Sequence, residues 1–105
     1  MKIRTKPNFF AVDFPLQTRR ANLAEITLKG RYPEKGFALN TRSEMIVYVV
    51  KGRVSFTQGK KKVLKKGYAV LVKTNQKYFW KPDGKVTIAV FSSPPWNPEQ
   101  HKLVG

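Results

Sequence analysis

The sequence contains no cysteine and only one histidine, and these two absences exclude many kinds of functional site. Without thiols there can be no disulfide, no thiolate metal site, no iron–sulfur cluster and no cysteine nucleophile. With His101 as the only imidazole, one chain cannot supply the two or three histidines that common metal sites use. We therefore expect neither a bound metal nor another cofactor.

Acidic residues are also scarce, whereas basic residues are abundant. Six Asp and Glu stand against 21 Lys and Arg, which gives a formal net charge of +15. Such a charge attracts polyanions, including nucleic acid and phosphorylated metabolites. The densest basic cluster is the candidate polyanion site and consists of Lys60, Lys61, Lys62, Lys65 and Lys66. The alternative, which we favour, is that these lysines lie at strand edges, where charge opposes aggregation between sheets.

Long apolar runs are missing as well. No segment approaches the roughly 18 to 20 apolar residues of a membrane-spanning helix. The basic start of the chain is not followed by the apolar region of a secretory signal. We therefore predict a cytoplasmic protein that has no membrane partner.

Short runs rich in Val, Ile, Tyr, Phe and Trp, separated by turn signals, make up most of the 105 residues. This pattern predicts about eight short strands and no long helix, because no segment keeps a helical period. The predicted strands cover residues 9–12, 22–28, 44–50, 53–57, 61–64, 68–72, 77–80 and 86–91. We expect one all-β domain over 1–105, with an N-terminal strand and loop in 1–20 and a proline-rich tail in 92–105 packed on the barrel.

Two of the predicted strands are apolar on both faces. The segments 45–50 and 68–72 lack the polar alternation that is clear in 53–57. Strands of this kind are covered on both sides. In so small a chain, a second subunit is the simplest cover, so we expect a homodimer. In the tail, Trp96 is the expected anchor on the body of the protein.

Two stretches resemble the conserved motifs of the cupin superfamily. Residues 44–54, Glu-Met-Ile-Val-Tyr-Val-Val-Lys-Gly-Arg-Val, are similar to the centre of the first cupin motif. Residues 66–72, Lys-Gly-Tyr-Ala-Val-Leu-Val, are similar to the opening of the second motif. The resemblance covers roughly residues 30–92, and it implies a cupin-like antiparallel β-barrel, or jelly roll.

The resemblance also implies where the usual cupin metal ligands, three histidines and a glutamate, would stand. The glutamate position falls on Met45, with Glu44 one residue away, and the first two histidine positions fall within 38–41. The histidine position of the second motif falls on Tyr78. Every ligand is replaced or displaced, so the resemblance implies a barrel without the usual metal.

The same alignment predicts which side chains lie near the mouth of the barrel. The candidate ligand-binding residues are Asn40, Arg42, Met45, Tyr78 and Trp80. Arg42 can pair with a carboxylate or phosphate through two hydrogen bonds, while Asn40 and Tyr78 offer directional hydrogen bonds. In the alternative interpretation, Met45 and Tyr78 fill the mouth and Arg42 points to solvent.

His101, close to Glu99, is the plausible acid–base group near neutral pH. Our first hypothesis is a metal-free cupin-fold protein that binds a small ligand in the barrel, an anionic one among the options, or serves a structural or assembly role. One alternative is a basic β-barrel that binds nucleic acid. Another is a weak metal-independent enzyme that uses His101 or Tyr78. We favour a binding protein over an enzyme.

Overall fold

The computed structural model describes residues 2–16 and 18–105, and within these ranges the chain forms eleven strands and one turn of 3₁₀ helix. The strands are β1 (Lys2–Lys6), β2 (Phe9–Phe14), β3 (Asn22–Lys29), β4 (Phe37–Asn40), β5 (Glu44–Lys51), β6 (Arg53–Gln58), β7 (Lys60–Lys65), β8 (Ala69–Val72), β9 (Phe79–Pro82), β10 (Lys85–Ser93) and β11 (His101–Val104). The 3₁₀ turn spans Pro98–Gln100.

The predicted all-β architecture is confirmed, but the number of strands is larger than about eight. The additional strands are β1, β4 and β11. Each is only four or five residues long, and β1 and β11 are almost wholly exposed. Such strands carry little of the period-two pattern by which buried strands are recognised. In the described ranges, no helix is long and apolar enough to cross a membrane.

The strands form two walls. The first wall is a six-stranded antiparallel sheet in the order β1-β2-β3-β10-β5-β8. A two-stranded sheet, β11-β4, and a three-stranded sheet, β7-β6-β9, complete the molecule. Isolated bridges join Tyr32 to Trp80 and Ala38 to Tyr78. Because the second bridge connects β4 to the residue before β9, these two sheets act as a second wall in the order β11-β4-β9-β6-β7.

The core lies between the two walls and follows the alternation of side chains along each strand. In β5, Met45, Val47 and Val49 are buried, whereas Ile46 and Tyr48 between them are 50% and 45% exposed. This strand was expected to be covered on both faces. In the described part of the chain only one face is covered, and the outer face stays open to solvent.

Candidate functional site

A cavity of about 560 Å³ lies between the two walls, within the size range of small-molecule sites. On the first-wall side, β3, β5 and β10 contribute mostly aliphatic side chains. The facing side is aromatic and includes Tyr32, Tyr78 and Trp80, while Arg4, Lys6 and His101 add charged or polar groups. A largely apolar pocket with a few converging polar groups is typical of a site for a small molecule.

A chain of hydrogen bonds runs from the cavity into the interior. The Tyr32 hydroxyl lies 2.7 Å from His101 Nε2, and His101 Nδ1 lies 2.8 Å from Asn40 Oδ1. The indole Nε1 of Trp96 donates to the same Asn40 oxygen at 3.0 Å. Because an indole N–H can only donate, this contact fixes the orientation of the Asn40 amide, with its oxygen toward Trp96 and His101. His101 must then carry its proton on Nδ1, and its Nε2 lone pair accepts the Tyr32 O–H.

Backbone pairing holds both ends of this chain in place. His101 is the first residue of β11 and is the register partner of Asn40, the last residue of β4. Tyr32 lies between β3 and β4, where its backbone N–H donates to the Trp80 carbonyl at 2.9 Å and its carbonyl accepts from Trp80 N–H at 2.8 Å. The acceptor, Asn40, is only 1% exposed. The donor and acceptor groups are therefore positioned by two strand pairings rather than by mobile loops.

A buried glutamine fixes the segment that carries His101. Gln100 Oε1 accepts from the backbone N–H groups of Arg42 and Ser43, at 3.2 and 2.8 Å. Gln100 Nε2 donates to Ser43 Oγ at 2.9 Å, and this hydroxyl donates in turn to the Pro94 carbonyl at 2.6 Å. The buried side chain of Gln100, the residue immediately before His101, thus joins the tail to the β4–β5 turn.

The electrostatic environment keeps the hydrogen-bonded groups neutral. Burial lowers the pKa of His101, and the nearby positive charges of Lys6 and Arg4 lower it further. Burial raises the pKa of the Tyr32 phenol, although Arg4 acts in the opposite direction. Burial also raises the pKa of Tyr78, with a further contribution from Tyr32 and an opposing one from an Asn40 hydrogen bond. At neutral pH the site therefore contains a neutral imidazole beside two neutral phenols.

Basic groups line one side of the cavity. Arg4 forms a two-point ion pair with Asp13, at 2.7 and 3.0 Å, and its guanidinium lies 5.1 Å from the Trp96 ring centroid. This is the only ion pair among residues 2–16 and 18–105. Lys6, which also lines the cavity, therefore has no carboxylate partner within these ranges. Such a group favours a ligand that carries or develops negative charge.

The structure brings together most, but not all, of the side chains predicted for the site. Met45, Tyr78 and Trp80 line the cavity, and Asn40 lies behind His101. Met45 and Tyr78 line the cavity but do not fill it, contrary to the alternative interpretation. Arg42 does not reach the cavity. It lies in the exposed turn between β4 and β5, where Gln100 binds its backbone N–H.

The remaining predicted residues lie elsewhere. Glu99 is exposed in the 3₁₀ turn and, within the described ranges, forms no ion pair with the imidazole beside which we expected it. Lys60 to Lys65 form β7, at the far edge of the second wall, and Lys66 follows in a turn. The site also contains Tyr32 and Arg4, which the sequence pattern does not indicate. Tyr32 forms an isolated β-bridge just before Pro33, and its pairing with a residue 69 positions later leaves no local signal.

Comparison with known proteins shows the fold. No family model matches the sequence, and no curated protein matches it significantly. Among solved structures, Pac13 of Streptomyces with uridine has a TM-score of 0.84 at 15% identity, covering 99% of this chain and 84% of that one. Ectoine synthase from P. lautus has a TM-score of 0.77 at 11% identity, over 98% and 80% of the two chains. A cupin-like protein from Thermotoga maritima has a TM-score of 0.72 at 15% identity, over 92% and 76%.

These similarities confirm the predicted cupin fold. The similar structures include proteins that act on small molecules, since Pac13 is described as a nucleoside dehydratase. The metal of typical cupins does not fit the residues present here. Asn40, Met45 and Tyr78 stand near the expected ligand positions and offer an amide, a thioether and a phenol. Across the described ranges, no three His, Cys, Asp or Glu side chains are grouped so that they could hold a metal ion.

Proposed function

We propose that this cupin-fold chain binds a small, polar, ring-bearing molecule in its barrel and that Tyr32 and His101 transfer protons on it without a metal. The observation that carries the proposal is the hydrogen-bond chain from the Tyr32 hydroxyl through His101 to Asn40. It combines a group that faces the cavity, a base with a defined tautomer, and a third group that orients the base. This is the arrangement by which acid–base sites are recognised.

The walls of the cavity favour a planar ligand. The Tyr78 and Trp80 rings meet edge to face with centroids 6.4 Å apart, and Trp96 meets His101 in the same way at 5.5 Å. Aromatic side chains placed in this way offer both faces and edges to a flat ring. Pac13, a nucleoside dehydratase of the same fold, has been captured with uridine. This supports a ligand of nucleoside size, with Lys6 and Arg4 beside its most electron-rich oxygen.

The proton path follows from the tautomer. The Tyr32 oxygen accepts a proton from the ligand while its own proton passes to His101 Nε2. The imidazolium that forms keeps its Nδ1–H bond to Asn40, and the cations Arg4 and Lys6 stabilise the negative charge left on the ligand. The proton then returns by the same path, either to a leaving hydroxyl or to another ligand atom. The first outcome is elimination of water and the second is isomerisation; the enzyme is regenerated in both.

The first experiment measures binding and proton exchange separately. Calorimetric titration with uridine, followed by other nucleosides, sugar acids and 2-oxo acids, identifies a ligand. Solvent deuterium uptake into that ligand, followed by NMR, reports proton transfer. We expect Tyr32→Phe and His101→Gln to bind within a fewfold of the wild type and to lose about 10²- to 10⁴-fold in exchange rate.

Arg42→Ala serves as the matched control, because Arg42 is a polar residue near the site in sequence whose side chain lies outside the cavity. We expect this variant to match the wild type in both measurements. Exchange that survives unchanged in His101→Gln would contradict the proton path. Absence of binding by the entire panel would contradict the ligand class.

A further inference from the structure

The outer face of the second wall carries a separate group of basic residues that the cavity does not use. Around β9, successive side chains alternate between the two sides of the wall. Tyr78 and Trp80 face the cavity, whereas Lys77, Phe79 and Lys81 face outward. The same short segment therefore contributes aromatic rings to the barrel interior and cations to its exterior.

The strand register brings more cations to this outer face. Phe79 pairs with Thr57, which pairs with Lys61 on β7. Two residues along, Lys81 pairs with Ser55, which pairs with the exposed Val63 on β7. Two residues further, Arg53 pairs with Lys65. We call this surface the basic sheet face, and it consists of Arg53, Ser55, Thr57, Lys61, Val63, Lys65, Lys77, Phe79 and Lys81, with Asp83 at its edge.

The cations of the basic sheet face are free to bind an anion. None of them forms an ion pair among residues 2–16 and 18–105, where Arg4–Asp13 is the only such pair. Arg53, Lys61 and Lys81 surround a shallow depression of about 340 Å³, in which Asp83 is the only acidic lining residue. Along the strands, Lys61 and Lys65 are four residues apart, about 13 Å. This spread exceeds a single phosphate group and suits several phosphates in succession.

Planar groups accompany the cations. The Arg31 guanidinium lies 4.0 Å from the Phe79 ring centroid, and its Nη1 donates to the Pro33 carbonyl at 2.8 Å. Beside it, Lys77 Nζ lies 4.7 Å from the ring centroid of Phe37, which meets Phe79 edge to face at 5.6 Å. Aromatic rings and guanidinium planes within a positive groove are the elements on which single-stranded bases stack.

We infer that the basic sheet face binds single-stranded nucleic acid. The cations extend over about 13 Å, enough for several phosphates, and Phe79 with Arg31 provides a stacking platform. Thr57 adds a hydroxyl donor, whereas the Ser55 hydroxyl donates to the Lys81 carbonyl at 3.3 Å. The surface is a sheet face without the protruding helix or ribbon that enters a duplex groove. This favours a single strand over a duplex.

The strand register also divides the lysine cluster that the sequence singles out. Lys61 and Lys65 lie on the basic sheet face, whereas Lys62 pairs with Phe56, on the row that faces the barrel. Lys60 pairs with Gln58 at the end of the hairpin, and Lys66 lies in the following turn. The proposed site therefore combines two lysines of that cluster with cations from β6 and β9.

The test is fluorescence anisotropy with a labelled oligouridylate of about 12 nucleotides, between about 50 and 200 mM salt. We compare the triple variant Arg53→Ala, Lys61→Ala, Lys81→Ala with the control Lys2→Ala, Arg19→Ala, Lys29→Ala. The control removes the same number of charges from β1, β3 and the loop between β2 and β3. We expect the first triple to lose at least about tenfold in affinity and about 2 units of salt slope. The control should lose less than about threefold.

A second variant tests stacking. Phe79→Leu should weaken oligouridylate binding about fivefold or more and leave the salt slope unchanged, because no charge is removed. Equal losses in the two triple variants would overturn the site in favour of diffuse attraction. A wild-type preference for heparin or for a duplex of equal length, together with an unaffected Phe79→Leu, would overturn single-strand recognition. Tyr32→Phe should bind the oligonucleotide as the wild type does, which separates this inference from the proposed barrel function.

Discussion

At the scale of single residues, Asn40 determines the chemistry available to His101. Its amide oxygen accepts from both Trp96 Nε1 and His101 Nδ1, so the free lone pair of the imidazole faces Tyr32. A histidine on an exposed tail would exchange tautomers and titrate near its ordinary pKa of 6.5. The partly buried position of His101 and its two hydrogen bonds fix its tautomer, and burial lowers its pKa.

We predict that His101 makes the fold less stable in mild acid. The pKa of His101 is lower in the folded chain, because of burial and the charges of Lys6 and Arg4, than the 6.5 expected after unfolding. Between these two values the unfolded chain binds more protons, so the free energy of unfolding falls as the pH falls through this window. Above about pH 6.5 the imidazole is mostly neutral in both the folded and the unfolded chain, so this loss of stability is absent there. Urea unfolding at pH 8 and pH 5 measures the loss, which should be smaller in His101→Gln; an equal loss in both chains would contradict the prediction.

At the scale of elements, the turn between β5 and β6 shows how a tight connection depends on one glycine. Gly52 has a φ of +94°, and a Cβ there would lie 2.5 Å from the Lys85 carbonyl oxygen at the start of β10. Gly59, in the next hairpin, also has a positive φ of +74°, but a Cβ there would meet no atom within 4 Å. Alanine substitutions at the two glycines therefore distinguish the cost of backbone strain from the cost of close packing.

We predict that Gly52→Ala destabilises the protein more than Gly59→Ala. The left-handed conformation costs a non-glycine residue about 1–2 kcal/mol, and this cost applies at both positions. At Gly52 the contact with the Lys85 carbonyl adds to it, since backbone cannot move aside as a flexible side chain can. Denaturant unfolding of the two variants gives the comparison. Equal losses would show that the close approach contributes nothing.

At the scale of the whole molecule, an uncharged patch interrupts a strongly basic surface. Ile46 on β5 is flanked in register by Phe91 and Leu71, and these three side chains with Tyr48 are between 42% and 50% exposed. The chain has a net charge of +15, so two copies repel each other across most orientations. They can approach at this patch, beside which Glu25 and Glu44 supply two of the six carboxylates.

We therefore still predict a metal-free homodimer. Native mass measurement should give twice the 12.1 kDa of one chain, and Ile46→Glu should shift the mass to that of the monomer. A matched substitution on an already polar position of the same sheet, Thr27→Glu, should leave the dimer intact. Elemental analysis of the same sample should find no stoichiometric transition metal. A stoichiometric metal would contradict the donor inventory, and a monomeric wild type would contradict the interface.

Much of the fold follows from local pattern in the sequence. The alternation in 53–57 and the apolar run in 45–50 predict strands because the two faces of a strand repeat every second residue. The cupin resemblance of 44–54 and 66–72 predicts that such strands close into a barrel. The absence of cysteine and the single histidine limit the chemistry at once, because composition does not depend on folding.

The tertiary structure alone decided which residues join Asn40, Met45, Tyr78 and Trp80, the residues that the alignment had already grouped. Tyr32 meets His101 across 69 residues, and Trp96 meets Asn40 across 56, so no spacing motif predicts either contact. Arg42, which the alignment placed at the mouth, is exposed in the β4–β5 turn and does not line the cavity. Side-chain chemistry and strand period are local properties and can be read from the chain. Contacts between distant strands depend on how the whole barrel closes, which only the folded molecule determines.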